Sequence, residues 1–255
     1  MGLNNFSFNS SNHSNSFTSS VSANSSDSSI SRMDNVELVC FDLWRTLIPA
    51  TIDFQYLKNL SNQQNVSLSD FISRYEFATM RSSFSSIDEM YSAVISEFPN
   101  SSSSVLKKTF FEIYNNRVDL IKFYDDVLPT LSALKKSGFK LALVTNSEYS
   151  IKPLTLNSLP LEDFFDFFAW SFEVGSVKPD RKIFDFVLSE ANVLPENSVM
   201  VGDSPNSDIL GAVNVGMNAV LIDRVSRVEK PLPCVKISDL RELLPVLGVG
   251  DFIEK

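Results

Sequence analysis

Four places along the 255-residue chain put polar groups at the end of an apolar run or soon after it. Phe41-Asp42-Leu43-Trp44-Arg45-Thr46-Leu47 carries a carboxylate at the exit of the apolar residues 36–41. Such a group is costly to desolvate unless something pairs with it. Leu143-Val144-Thr145-Asn146-Ser147 ends a second run in hydroxyls and an amide, and Lys178-Pro179-Asp180 sets an ammonium just before a helical pattern. Val201-Gly202-Asp203-Ser204-Pro205-Asn206-Ser207-Asp208 ends another run in two carboxylates on a glycine-permitted loop. Each has an ordinary structural reading. Asp42 or Thr145 can cap the next element, Lys-Pro-Asp opens helices, and Gly-Asp-Ser-Pro is turn chemistry. As a set they say more. Three carboxylates and one lysine sharing a pocket would repel without a cation, and all-oxygen ligation suits a hard divalent ion such as magnesium.

The elements around these places predict one arrangement. From residue 126 onward, helical patterns at Val127–Lys136, near Ile151, and at 182–191, 208–215 and 238–247 alternate with strands. The strands fall at Lys140–Thr145, 198–201 and 219–222, with a Phe-rich segment at 164–172. Strands alternating with helices imply βαβ units, a parallel sheet, and a site at the carboxyl ends of the strands. The expected fold class is therefore α/β, a Rossmann-like parallel sheet with helices on both faces. Between the first two strands, apolar residues recur at helical spacing around Leu57 and over 71–80, 90–98 and 105–121, which implies a helical insert. Residues 34–49 and 124–255 are expected to form the core domain and 50–123 the insert. Residues 1–33 are a Ser/Asn-rich tail too poor in apolar side chains to order.

Composition removes other chemistries. The single histidine, His13, lies in that tail, so catalytic units that hold an imidazole against a nucleophile are excluded, as are Cys/His zinc sites. Two cysteines, Cys40 and Cys234, are too far apart in sequence for a disulfide framework and fit a reducing compartment. With 22 Lys plus Arg against 31 Asp plus Glu, the net charge of -9 disfavours nucleic acid and anionic membrane as partners. No apolar run reaches the roughly 18 residues of a membrane span, and the start lacks a secretory signal pattern. A cytoplasmic protein, monomer or homodimer, is expected.

The set resembles the haloacid dehalogenase (HAD) superfamily, which consists mainly of phosphatases. The family pattern is Asp-x-Asp-x-Thr, a Ser or Thr ending the second motif strand, a Lys, and Gly-Asp-x-x-x-x-Asp. Here the matching residues are Asp42 through Thr46, Thr145, Lys178, and Gly202-Asp203 through Asp208, spanning roughly 36–222. The resemblance implies that Asp42 is a nucleophile forming an aspartyl-phosphate, and that Thr145, Asn146 and Lys178 bind a small phosphorylated substrate. It also implies that Asp42, the backbone carbonyl of Trp44, Asp203 and Asp208 serve a magnesium ion. The helical insert looks like the family's class-one cap.

The chain departs from the pattern at Trp44, where family phosphatases carry the Asp that protonates the leaving oxygen and then activates water. Such assistance is typically worth about 10²–10⁴ in rate. Three readings follow: a phosphatase with another acid or an acidic leaving group, a haloacid dehalogenase, and a non-catalytic binding protein. The dehalogenases have an aromatic residue where Trp44 sits but lack an acid at the position of Asp203, which weighs against that reading. Arg74 and Arg81 are its halide-site candidates by position. Arg45 reads as a surface charge or as a cation at the pocket mouth. Phe164 to Trp170, Phe184 and Phe186 read as core, and Cys40 as a small buried apolar side chain. Phe54, Tyr56, Phe77, Phe84 and Tyr91 read as insert core, with some open to the cavity.

Overall fold

The computed structural model describes residues 32–49, 54–98 and 121–250. Residues 1–31 of the Ser/Asn-rich tail, and all of the 105–121 pattern except Ile121, lie outside these residues. Met33, at the end of the expected tail, instead donates its N–H to the Val246 carbonyl at 2.8 Å and packs on the core. β1 is Leu38–Phe41, four apolar residues buried throughout, as a strand covered on both faces requires. Among the described residues, three helices follow: α1 (Phe54–Gln63), α2 (Leu68–Met80) and α3 (Ile87–Ser96). They close on an apolar core of their own, built from Leu60, Phe71, Tyr75, Met90, Tyr91, Val94 and Phe98.

The chain then alternates: α4 (Val127–Lys136), β2 (Lys140–Thr145), α5 (Ile151–Ser158), α6 (Leu161–Phe164), β3 (Phe167–Trp170), α7 (Ser171–Val174) and α8 (Arg181–Ala191). It continues through β4 (Ser198–Gly202), α9 (Gly211–Val215), β5 (Asn218–Ile222), β6 (Val235–Ile237) and α10 (Leu243–Val246). The six strands pair in parallel in the order β3-β2-β1-β4-β5-β6. This is the doubly wound order. The chain moves outward from β1 on one side, returns, and moves outward on the other, so a crevice opens at the carboxyl end of β1.

Alternate residues of each strand face opposite layers. Val39, Phe41, Leu141, Leu143, Val199 and Val201 pack with α4, α5, α6 and α10. Leu38, Cys40, Ala142, Val144 and Met200 pack with α8 and α9 on the other face. The α/β class with helices on both faces is thus observed, and Cys40 is a buried core side chain.

Several expectations need correction. The helix expected over 208–215 begins with a wider π-turn at Pro205–Leu210, and that over 238–247 is a 3-10 turn, Leu240–Glu242, followed by α10. β6 was not expected; its three residues include exposed Lys236 and are too few to show a period. Phe186 is 38% exposed and Phe77 is 64% exposed, so neither is core. The reason is the same for both. Each stands two residues from a buried ring, Phe184 or Tyr75, and two residues carry a side chain to the opposite face of a helix.

Buried Asp126, just ahead of α4, ties the later loops to the first. It accepts from Arg224 Nη1 at 2.7 Å and Nη2 at 3.0 Å, and from the Leu240 amide at 2.7 Å. Arg224 also donates to the Thr46 carbonyl at 2.8 Å and lies 4.0 Å from the centroid of the Tyr124 ring. We expect Asp126→Asn to cost about 3 kcal/mol in urea unfolding at neutral pH, because it strips the anion from a largely buried guanidinium. Burial opposes ionisation of Asp126, but Arg224 and the Leu240 amide hold its carboxyl below the ordinary value of 3.8. The stabilisation is therefore full above that value and is lost as pH falls through the lower folded-state value. The difference between wild type and variant should close in acid. A difference that stays constant from neutral pH down to about pH 2 would contradict this account.

Candidate active site

Asp42 is the first residue past β1 and extends that strand's ladder by donating its backbone N–H to the Val201 carbonyl at 2.9 Å. Its carboxylate is buried, with Lys178 Nζ at 2.7 Å from Oδ1 and the Thr46 hydroxyl donating to Oδ2 over a long 3.4 Å. Burial raises the Asp42 pKa to about 7; the ammonium of Lys178 opposes this and the charge of Asp208 adds to it.

Lys178 lies among three oxygens, each 2.7 Å from Nζ: Asp42 Oδ1, Asp208 Oδ1 and the Val144 carbonyl. Burial disfavours its charge, but the two carboxylates more than compensate and hold its pKa above the ordinary lysine range. An ammonium has three donors, so in this geometry Lys178 orients and balances the carboxylates. Its backbone is clamped by Asn146, whose Oδ1 accepts the Lys178 N–H at 2.7 Å and whose Nδ2 donates to the Lys178 carbonyl at 3.0 Å. Asn146, expected to meet the substrate, thus has both ends of its amide committed to placing the lysine.

Asp208 is brought back toward the strand end by the π-turn, in which the Ile209 N–H reaches the Ser204 carbonyl at 3.2 Å. Its Oδ2 accepts the Ser204 N–H at 2.9 Å. Only glycine allows the approach at position 202, where a Cβ would stand 2.3 Å from Asp208 Oδ2. Asp203 is half-buried and faces two arginines, Arg227 Nη2 at 2.8 Å and Arg45 Nη1 at 3.8 Å from its Oδ2. Arg45 is therefore a cation at the pocket mouth, although half its side chain is exposed.

Asp42, Asp203 and Asp208 each offer an oxygen, and these atoms all lie within 4.8 Å of one another. Asp208 Oδ1, buried and ion-paired with Lys178 at 2.7 Å, keeps a further lone pair that a cation can take. The donor set fits a hard divalent ion.

On the other side of the crevice, the Thr145 and Ser147 hydroxyls lie 2.9 Å apart, and Trp44 Nε1 donates to Ser147 Oγ at 3.3 Å. The Ser171 hydroxyl accepts from the Ser147 N–H and donates to its carbonyl, both at 3.0 Å, which fixes this loop. Trp44 thus faces the site and does not lie behind the sheet. Arg74 bonds to Asp70 at 3.0 Å and to the Glu97 carbonyl at 3.2 Å, while Arg81 bonds to Asp180 at 3.0 Å. Both arginines named for a halide site are thus engaged elsewhere. Sequence reasoning quoted Ser147 in its motif without giving it a role, and missed Ser171, Arg224 and Arg227. A lone Ser or Arg in a loop carries no local signal.

The family model for haloacid dehalogenase-like hydrolases matches residues 41–222, a stretch that contains all four motifs. The chain belongs to this family. A glyceraldehyde 3-phosphate phosphatase of Methanothermobacter thermautotrophicus is 35% identical over 141 residues, 52% of this chain and 62% of that protein. A phosphoserine phosphatase of Thermus thermophilus is 36% identical over 122 residues, 47% of this chain and 49% of that one. The chain therefore spans roughly half to three fifths of the curated relatives it matches. Among solved structures, an HAD phosphatase from Thermococcus onnurineus superposes with a TM-score of 0.62 at 26% identity, covering 84% of this chain and 99% of that one. A 2-haloacid dehalogenase from Pseudomonas syringae pv. Tomato gives 0.58 at 25% identity over 83% and 98%. The fold serves both chemistries.

Because Gly202 makes room for Asp208, Gly202→Ala should lower stability by about 1–3 kcal/mol. It should also reduce turnover by about 10²-fold, through displacement of the Asp208–Lys178 pair. Urea melts and initial rates measure the two effects, and wild-type values in both would show that the close approach is not needed.

Proposed function

We propose that this hydrolase is a magnesium-dependent phosphatase of a small phosphorylated metabolite, acting in the cytoplasm through an aspartyl-phosphate on Asp42. The supporting observation is the trio of carboxylates with ligating oxygens within 4.8 Å, since halide displacement has no use for it. The phosphatase names of the curated relatives agree. Asp42, Asp203, Asp208 and the Trp44 carbonyl would hold magnesium, which when bound supplies positive charge opposite the transferring phosphoryl group.

The chain's own residues carry the steps. The Asp42 carboxylate attacks phosphorus and the bond to the leaving oxygen breaks, giving the acyl phosphate. Lys178 keeps Asp42 oriented, and the Thr145 hydroxyl, with Ser147 beside it, faces the phosphoryl oxygens. Water then attacks phosphorus, its proton passes to solvent, and Asp42 is released with inorganic phosphate. The Trp44 indole can neither protonate the leaving oxygen nor accept the proton of the water at neutral pH, so substrates whose leaving group departs as a stable anion are favoured. Acyl phosphates and activated esters are of this kind.

Residues 50–123 would act as the cap over a core of 34–49 and 124–255. The seam between them carries the Tyr75 hydroxyl donating to Glu148, the Arg81–Asp180 pair, and the Ser83 hydroxyl donating to the Phe172 carbonyl at 3.1 Å. Phe84 and Phe172 pack edge-on against Tyr149 at the same seam.

With p-nitrophenyl phosphate, phosphate release should require magnesium, stop with chelator, and fall by at least about 10³ in Asp42→Asn. 2-Chloropropionate should yield no chloride; chloride release in the presence of chelator would overturn the reading in favour of a dehalogenase. Trp44→Asp should raise turnover of an alkyl phosphate by up to about 10² relative to acetyl phosphate. An unchanged ratio would mean that proton transfer is supplied from elsewhere.

A further inference from the structure

Asp203 is already held by cations of the chain itself. The loop after β5 wraps around buried Asp223, whose carboxylate accepts the Arg227 N–H at 2.8 Å and the Val228 N–H at 2.9 Å. Lys236 pairs with the same carboxylate at 2.8 Å. Upstream, Arg224 is anchored on Asp126 and the Thr46 carbonyl, and Ser226 takes a left-handed turn at φ 53°. The backbone of Arg227 is thereby fixed, and its side chain reaches Asp203 Oδ2 at 2.8 Å. Arg45, itself left-handed at φ 60°, approaches the same oxygen from the loop after β1.

Charge bookkeeping then differs from what the sequence suggested. Asp42, Asp203 and Asp208 face Lys178, Arg45 and Arg227, so three negative groups meet three positive ones. The cluster is formally neutral before any ion enters. A divalent cation bound to Asp203 must share a carboxylate whose Oδ2 Arg227 already holds, against the repulsion of two guanidinium groups. Both arginine side chains are about half exposed, 42% for Arg227 and 52% for Arg45. Exposed pairs are weak, and such side chains can swing into water.

We propose that Arg227 is a resident counter-ion of Asp203 that a divalent ion displaces, and that it sets the magnesium affinity of the site. This rests on the metal reading above. Arg45 plays a smaller part because its contact is longer. The arrangement keeps the cluster balanced without metal and makes occupancy respond to the free magnesium concentration.

The test is calorimetric titration of the full chain with magnesium chloride, with no substrate present and with each variant's fold checked by circular dichroism. Arg227→Gln should bind magnesium about three- to tenfold more tightly than wild type. Arg227→Lys, which keeps the charge, should stay close to wild type. Arg45→Gln lies outside the Asp223 loop and should tighten binding about twofold; it carries the test if Arg227→Gln does not fold. Equal or weaker binding in the charge-removing variants overturns the proposal and leaves the metal site standing. An absence of magnesium binding in wild type and in the folded variants rejects the metal reading itself.

Discussion

The structure depends on a buried ammonium. Lys178 Nζ, with its side chain 1% exposed, holds together two carboxylates that belong to the ends of different strands. Any member alone would be a stranded charge in an apolar interior, and breaking such a set costs far more than forming it gains. The surrounding devices serve this contact. Asn146 fixes the lysine backbone, Gly202 leaves room for Asp208, and the π-turn returns that carboxylate to the strand from which the chain has just departed.

Opposite this charged half lies a half made of hydroxyls and an indole. Trp44 touches Ser147, Ser147 touches Thr145, and Ser171 holds the loop from behind. The division has a chemical meaning. The charged half can present a nucleophile to phosphorus, whereas the other half can hold oxygens but has no side chain at position 44 that transfers protons. In the proposed mechanism the attack on phosphorus is thus provided for, while residue 44 supplies neither a proton to the leaving group nor a base to the water.

Much of this was legible in the chain. Strand β2 and helix α4 fall where apolar period and the closing Gly138 put them, and the motif residues converge because a parallel sheet leaves them no other place. What stayed hidden has physical reasons. Arg227 acts through a turn wrapped around Asp223, and neither residue belongs to a periodic element. Asn146 sits in a motif loop, but whether its amide meets a ligand or a neighbouring backbone depends on coordinates and not on spacing. Phe77 and Phe186 show the limit of counting aromatic residues, because content was read where phase decides.

One consequence follows from the place of β1. It is paired on both edges, residue for residue, with β2 and β4, and Asp42 continues the β4 side of that ladder. The proposed nucleophile therefore belongs to the doubly paired centre of the sheet and not to a separately fraying loop. Its alignment and the integrity of the sheet are one cooperative quantity. Changes beneath β1, at Val39 or Cys40, would reach the chemistry by tilting the floor on which Asp42 stands.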